Sequence, residues 1–99
     1  MTELQNIVWQ VVAAIPKGQV MSYGMVAKRC GYPSHARYVG WVLKQLPADT
    51  QLPWHRVVNA KGAIAFPAGS AAYNEQKQRL EAEGLTLING RVRLIDSGR

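Results

Sequence analysis

Ninety-nine residues, 47% hydrophobic and 18% charged, are enough for one domain with one modest core. No apolar run approaches the roughly 20 residues of a membrane span, and the single cysteine excludes an internal disulfide. Twelve Lys and Arg against six Asp and Glu leave a net charge of +6, which favours a polyanionic partner, either nucleic acid or an anionic membrane surface. MTELQNIVWQ carries an acidic residue and no basic stretch, so no secretory signal is expected and the chain reads as intracellular. Cys30, His35 and His55 stand at no zinc-ligand spacing; no metal site is expected, and Cys30 reads as a small buried side chain at a helix end.

The first predicted element is TELQNIVWQVVAAIP. Thr2 with Gln5 resembles a capping box, and Leu4, Ile7, Val8, Val11, Val12 and Ile15 recur at helical spacing. Pro16 and Gly18 stop this helix, and Trp9 on it reads as packing. Ser22 then caps a short helix, YGMVAKRC, which ends at Gly31. GYPS makes a tight turn, and Ser34 caps a second helix, HARYVGWVLKQL, with Ala36, Val39, Gly40, Leu43 and Leu46 as its inner stripe. Two short helices joined by a Gly-containing turn form the helix-turn-helix pattern. Lys28, Arg29, His35, Arg37 and Lys44 on the second helix and its approaches point that pattern at DNA.

The loop PADTQLP leads into LPWHRVV, where Pro53 and the strand-like Val57-Val58 should display Trp54-His55-Arg56 at a fixed junction. His can move protons and Arg can bind phosphate, whereas an indole does neither. RVVNAKGAIAF reads as a small hairpin turning at Ala60-Lys61-Gly62, and PAGS as a loop. Ser70 caps a helix running to about Glu83, which Gly84 terminates. LTLINGRVRLI reads as a second, stronger hairpin around Asn89-Gly90, a type I′ dipeptide. The sum is a mainly α domain with small β elements (α+β), a winged-helix-like helix-turn-helix domain over residues 1–99.

IPKGQVMSYGMVA, SHARYVGWVL, LPWHRVVNAKGAI and RLEAEG at 79–84 together resemble the DNA-binding and active-site domain of the O6-alkylguanine-DNA alkyltransferases, in order and in spacing over residues 4–84. Those enzymes read Pro-Cys-His-Arg where this chain reads Pro53-Trp54-His55-Arg56, and their Cys accepts the alkyl group. Trp at that position marks the alkyltransferase-like proteins, which bind the same lesions and remove nothing. The resemblance thus leads to the expectation of a stand-alone protein without the separate N-terminal domain that transferases usually carry.

The resemblance implies a protein that is not an enzyme, needs no cofactor, binds no membrane and works as a monomer. Its implied partners are double-stranded DNA containing O6-alkylguanine and proteins of nucleotide excision repair. The lesion pocket it implies comprises Tyr23, Trp54, His55, Val57, Ala68 and Glu83, with Arg37 as the finger that replaces an extruded nucleotide. Ser34, His35, Ala36, Tyr38, Gly40, Trp41, Lys44 and Arg56 are the implied DNA contacts, made by a helix lying in the minor groove. His55 and Glu83 match the relay that deprotonates the transferase thiol; without a thiol they read as a structural hydrogen bond. Two positions depart from the transferases: Leu46 stands where they carry Asn, and Ala68 replaces a Ser in a lid, 62–70, that contains no basic residue.

Other readings of the same residues stand beside this one. The domain could be a general DNA binder or a transcription regulator without lesion specificity. An active transferase using Cys30 would place its nucleophile 24 residues before Trp54 (54 − 30), with no neighbouring His. Trp54 and Tyr23 could be packing aromatics, and Arg37 an ordinary phosphate contact.

Overall fold

The computed structural model describes residues 3–93. Helix α1, Glu3–Ala13, buries Val8 and Val12, one turn apart on its inner face, while Thr2 and its expected cap lie outside the described residues. Its last turn tightens as Ile15 N–H donates to the Val12 carbonyl at 3.1 Å, and Pro16 cannot continue it. Strand β1 is only Met21–Ser22, and Ser22 also caps α2, Tyr23–Arg29, by accepting the Met25 amide at 3.1 Å. After α2 the chain reverses at Gly31 (φ 91°), where Tyr32 N–H reaches back to the Ala27 carbonyl.

Helix α3, Ala36–Lys44, corrects two expectations. Its cap residue is His35, whose carbonyl receives the Val39 amide, whereas the Ser34 hydroxyl is 3.2 Å from His35 Nδ1 and caps nothing. Its buried stripe is Val39 and Val42, with Ala36, Gly40, Leu43 and Leu46 only half-buried. The stripe is rotated because α3 packs on both α1 and α2, which leaves its Ala36–Gly40 edge open.

A 3-10 turn, Trp54–Arg56, runs directly into β2, Val57–Val58. Here the expected turn at Ala60-Lys61-Gly62 forms, with Asn59 N–H donating to the Ala63 carbonyl and Gly62 N–H to the Asn59 carbonyl, both at 2.9 Å, but the flanking strands of the first expected hairpin do not pair with each other. Val57–Val58 pairs in parallel with Met21–Ser22, Met21 opposite Val57 and Ser22 opposite Val58. The Asn59 side chain tightens that turn further by accepting the amides of Lys61 and Ala63 at 2.9 and 3.0 Å. Helix α4, Ala71–Ala82, starts at Ser70, which accepts the Tyr73 amide as expected, and the chain leaves it at Gly84 with φ 90°.

The second hairpin is much reduced. Asn89 and Gly90 have φ 55° and 77°, as a type I′ turn requires, but among the described residues only Ile88 and Arg91 bridge across it. Arg91 also bridges Ala63, and Val92 N–H donates to the Gly62 carbonyl, so the two loops pair with each other. Leu94 and Ile95 lie outside the described residues.

The two-stranded ribbon separates two cores. Strand side chains alternate, so Met21 and Val57 join the α1–α2–α3 cluster while Val20 and Val58 join Ile64, Leu80 and Val92 under α4. Each fully buried Val stabilises the fold by about 1.5–3 kcal/mol, and together they fix the ribbon at the point where the WHR turn ends. No helix among the described residues is long and apolar enough to cross a membrane.

Candidate nucleic-acid interface

The open edge of α3 faces a cleft of about 520 Å3 lined by Tyr23, Gly24, Ala36, Arg37, Gly40, Trp41 and Lys44, with Asn59, Ala60 and Ala65 opposite. Tyr23 sits at the first position of α2 because Ser22 fixes the helix start, and one edge of its ring lies beside Gly40. A methyl on Gly40 would stand 3.8 Å from Tyr23 Cε1. Burial pushes the Tyr23 phenol pKa up, so it stays a protonated hydrogen-bond donor. Arg37, Ser34, His35 and Lys44 are exposed. Trp41 is 56% exposed and stacks on Tyr38 with ring centres 6.1 Å apart.

Trp54 does not line this cleft. It faces a neighbouring hollow of about 210 Å3 with Leu43, Leu46, Phe66, Ala72 and Glu75, and the two clefts share Lys44 as a common wall. The indole is half-buried. Phe66 and His55 meet it edge-on, with centroids 6.2 and 6.3 Å away. The Arg79 guanidinium lies 5.4 Å over the ring and is itself paired with Glu75 at 2.7 Å. The lesion pocket expected from sequence is therefore not a single lined cavity. Val57 is buried in β2 at 1% exposure, His55 is buried behind Trp54, and Ala68 is exposed outside both clefts.

Behind the turn, the Glu83 carboxylate gathers three residues into one knot. His55 Nε2 donates to its Oε2 at 2.7 Å, Arg56 donates through Nε and Nη2, and the Gly18 amide donates to Oε1 at 3.1 Å. Arg56 Nη1 also donates to the Ile15 carbonyl at 2.8 Å. The Arg56 guanidinium, helped by His55 and Gly18, holds the Glu83 carboxyl down to about 2. Arg56 was expected at the DNA; its side chain is only 16% exposed and turned inward, where it braces α4 against the α1–β1 loop. That inward turn commits the guanidinium to Glu83 and the Ile15 carbonyl, away from the DNA contact that the resemblance implies.

An ionised Glu83 only accepts, so the His55 proton sits on Nε2 and Nδ1 is a bare lone pair. Nδ1 is buried without a partner among the described residues, and burial lowers the His55 pKa against the pull of Glu83. The pair thus holds a neutral imidazole with no thiol to serve. Cys30 is no substitute, being buried with its thiol pKa pushed up by desolvation.

Phe66, Arg79, Glu75 and Gln76 were not singled out from sequence. Glu75 and Arg79 stand four apart on a helix, a legible pairing, but nothing in the sequence says that the pair covers Trp54.

A family model described as 6-O-methylguanine DNA methyltransferase, DNA binding domain, matches residues 3–85. The chain belongs to this family. It is 54% identical over 83 residues to a DNA base-flipping protein of Escherichia coli, covering 84% of this chain and 62% of that one, so it spans less than two thirds of that relative. It is 44% identical over 87 residues to alkyltransferase-like protein 1 of Schizosaccharomyces pombe, covering 88% and 81% of the two chains. A solved structure of S. pombe Atl1 with damaged DNA containing O6-carboxymethylguanine superposes with a TM-score of 0.84 at 41% identity, covering 96% of this chain and 91% of that one. The mainly helical fold expected from sequence is thus the fold of this methyltransferase-family domain.

Proposed function

We propose that this methyltransferase-family domain is a non-enzymatic sensor of O6-alkylguanine in double-stranded DNA. The observation that carries the reading is the single cleft at which Tyr23, the small residues Ala36 and Gly40, and the exposed Arg37 meet. Its volume of about 520 Å3 falls within the range of ligand pockets, ~300–1,000 Å3. The names of the E. coli and S. pombe relatives support it.

In this reading α3 lies in the minor groove with its Ala36–Gly40 edge against the duplex, and the damaged nucleotide rotates out. Unstacking costs a few kcal/mol, least at a weakly paired lesion, which itself favours damage. Arg37 enters the gap and offsets part of that cost, while Lys44, Ser34 and His35 contact the backbone. Tyr23 receives the rotated nucleotide with its protonated hydroxyl, and Trp54, across Lys44, offers an aromatic wall to the base or its substituent. Such stacking is worth about 1–3 kcal/mol per base.

Transfer does not follow, because it requires a thiolate behind the alkyl carbon and a base to generate it. Trp54 supplies no such nucleophile. A binder that repairs nothing is useful when another pathway recognises the complex. We assign that pathway to nucleotide excision repair, with exclusion of an alkyltransferase from the occupied lesion as a consequence; the domain acts as a monomer inside the cell.

The test is binding to two duplexes identical except for one O6-methylguanine, near physiological salt, followed by intact-mass measurement of protein and DNA. Preference for the lesion with both masses unchanged is the expected result. Equal affinities would reduce the chain to a general DNA-binding domain, and a protein heavier by one methyl group would reveal a nucleophile.

A further inference from the structure

Ala72, Gln76, Leu80 and Glu83 fall at spacings of four, four and three, on one face of α4 and its C-terminal cap. That face backs the whole Trp54–Arg56 turn. Ala72 lines the Trp54 hollow, Leu80 fills the core under β2, and Glu83 grips the side chains of His55 and Arg56. Gln76 stands between them, 1% exposed, where an apolar residue would be ordinary. Its Nε2 donates to two backbone carbonyls on either side of Arg56, that of His55 at 3.1 Å and that of Val57 at 2.9 Å. The opposite amide orientation would aim its oxygen at both carbonyls, so the two acceptors fix it. Its Oε1 is buried without a partner among the described residues. A residue present only to fill space would not leave an acceptor orphaned while both donors go to one turn, because that arrangement costs stability.

We infer that Gln76 is a positioning residue for lesion discrimination, holding the backbone of the Trp54–Arg56 turn and so setting where the Trp54 indole stands. This inference rests on the sensor reading. The side-chain clamp by Glu83 fixes His55 and Arg56, whereas the Trp54 indole makes no hydrogen bond among the described residues and is located by ring contacts with Phe66, His55 and Arg79. Its backbone origin is therefore set by the turn, and Gln76 pins that backbone through the carbonyls of His55, next after Trp54, and of Val57, the first residue of β2.

The readout is the ratio of affinities for the O6-methylguanine duplex and its unmodified twin, taken at a temperature where circular dichroism shows each protein folded. Gln76→Met keeps the volume and removes both donors, and should lower the ratio about tenfold. Gln76→Lys restores donors without adding an acceptor and should keep the ratio within about threefold of wild type. Leu80→Ala, which weakens the same face without touching the turn, should leave the ratio unchanged even as it lowers the melting temperature. The inference fails when folded Gln76→Met keeps the full ratio, or when Leu80→Ala loses as much of it. If Gln76→Met does not fold, Gln76→Lys decides: a retained ratio supports the inference, and a folded Lys variant without discrimination overturns it. Equal affinity of the wild type for both duplexes is a different failure, that of the sensor reading itself.

Discussion

Arg56 and Glu83 form a forked ion pair 27 residues apart in sequence, with Nη2 to Oε2 at 2.7 Å and Nε to Oε1 at 3.0 Å. Through it the recognition turn is tied to the end of α4, and through Ile15 and Gly18 to the end of α1. The pair has a consequence for acid stability. The folded Glu83 carboxyl lies near 2, below its ordinary 4.5, so its contribution is present above pH 4.5 and is lost as pH falls toward 2. His55 acts in the same direction. Its folded pKa is lowered from 6.5, so below that pH the unfolded chain takes up a proton that the buried imidazole refuses. Thermal melts should therefore show stability falling in two stages, the first beginning near pH 6.5. Glu83→Gln should be less stable than wild type at pH 7 and should flatten the stage between about 4.5 and 2. An unchanged acid profile in that variant would remove Glu83 from the account.

Arg37 is exposed at the rim of the Tyr23 cleft, so Arg37→Ala should not disturb the fold. Its loss should weaken lesion binding by about 1–3 kcal/mol, as loss of a stacking group does. Fluorescence anisotropy with the lesion duplex measures this, and unchanged affinity would defeat the intercalating role.

Gly40 separates stability from binding. Alanine there meets Tyr23 at 3.8 Å, an ordinary contact, and helix interiors favour Ala over Gly by about 1 kcal/mol. Gly40→Ala should melt at or above the wild-type temperature while binding DNA less well, because the methyl group occupies the edge that approaches the duplex. Tight binding by this variant would show that α3 does not press its Gly40 edge on DNA.

Gly62 is a backbone requirement of another kind. It has φ 84°, and a Cβ on it would stand 2.4 Å from the Val92 carbonyl oxygen, whose own chain pairs with Gly62. Gly62→Ala should cost more than 1 kcal/mol in chemical denaturation, since both the left-handed conformation and a rigid neighbour oppose it. A neutral effect would mean that the two C-terminal loops are not locked together.

Trp54→Cys tests whether one residue accounts for the missing chemistry. It places a thiol beside a neutral imidazole whose free Nδ1 could take its proton, but leaves Leu46 and Ala68 where transferases carry Asn and Ser. Incubation with O6-methylguanine DNA should give at most weak methylation by intact mass. Rapid stoichiometric transfer would show that the surroundings remain those of a transferase.

Local chemistry was enough to read much of this protein from sequence. Ser22 and Ser70 cap helices because a hydroxyl beside an amide-rich helix start needs no distant partner, and Asn89-Gly90 adopts its turn because both residues tolerate positive φ. Four separated motifs likewise carry the family in their order and spacing, and the family model matches residues 3–85. What sequence could not fix were the pairings made across the chain. Val57–Val58 found Met21–Ser22 instead of its own neighbours, since Asn59 closes the following loop with its side chain and leaves β2 free to pair elsewhere. Arg56 turned inward because Glu83 and the Ile15 carbonyl, remote in sequence, converge on it with three acceptors. Trp54 and Tyr23, read as walls of one pocket, stand in adjoining clefts because α3 and Lys44 pass between them. A side chain's capacity to cap, turn or ionise is a local property, whereas its orientation and partners depend on which distant groups the packed core brings within reach.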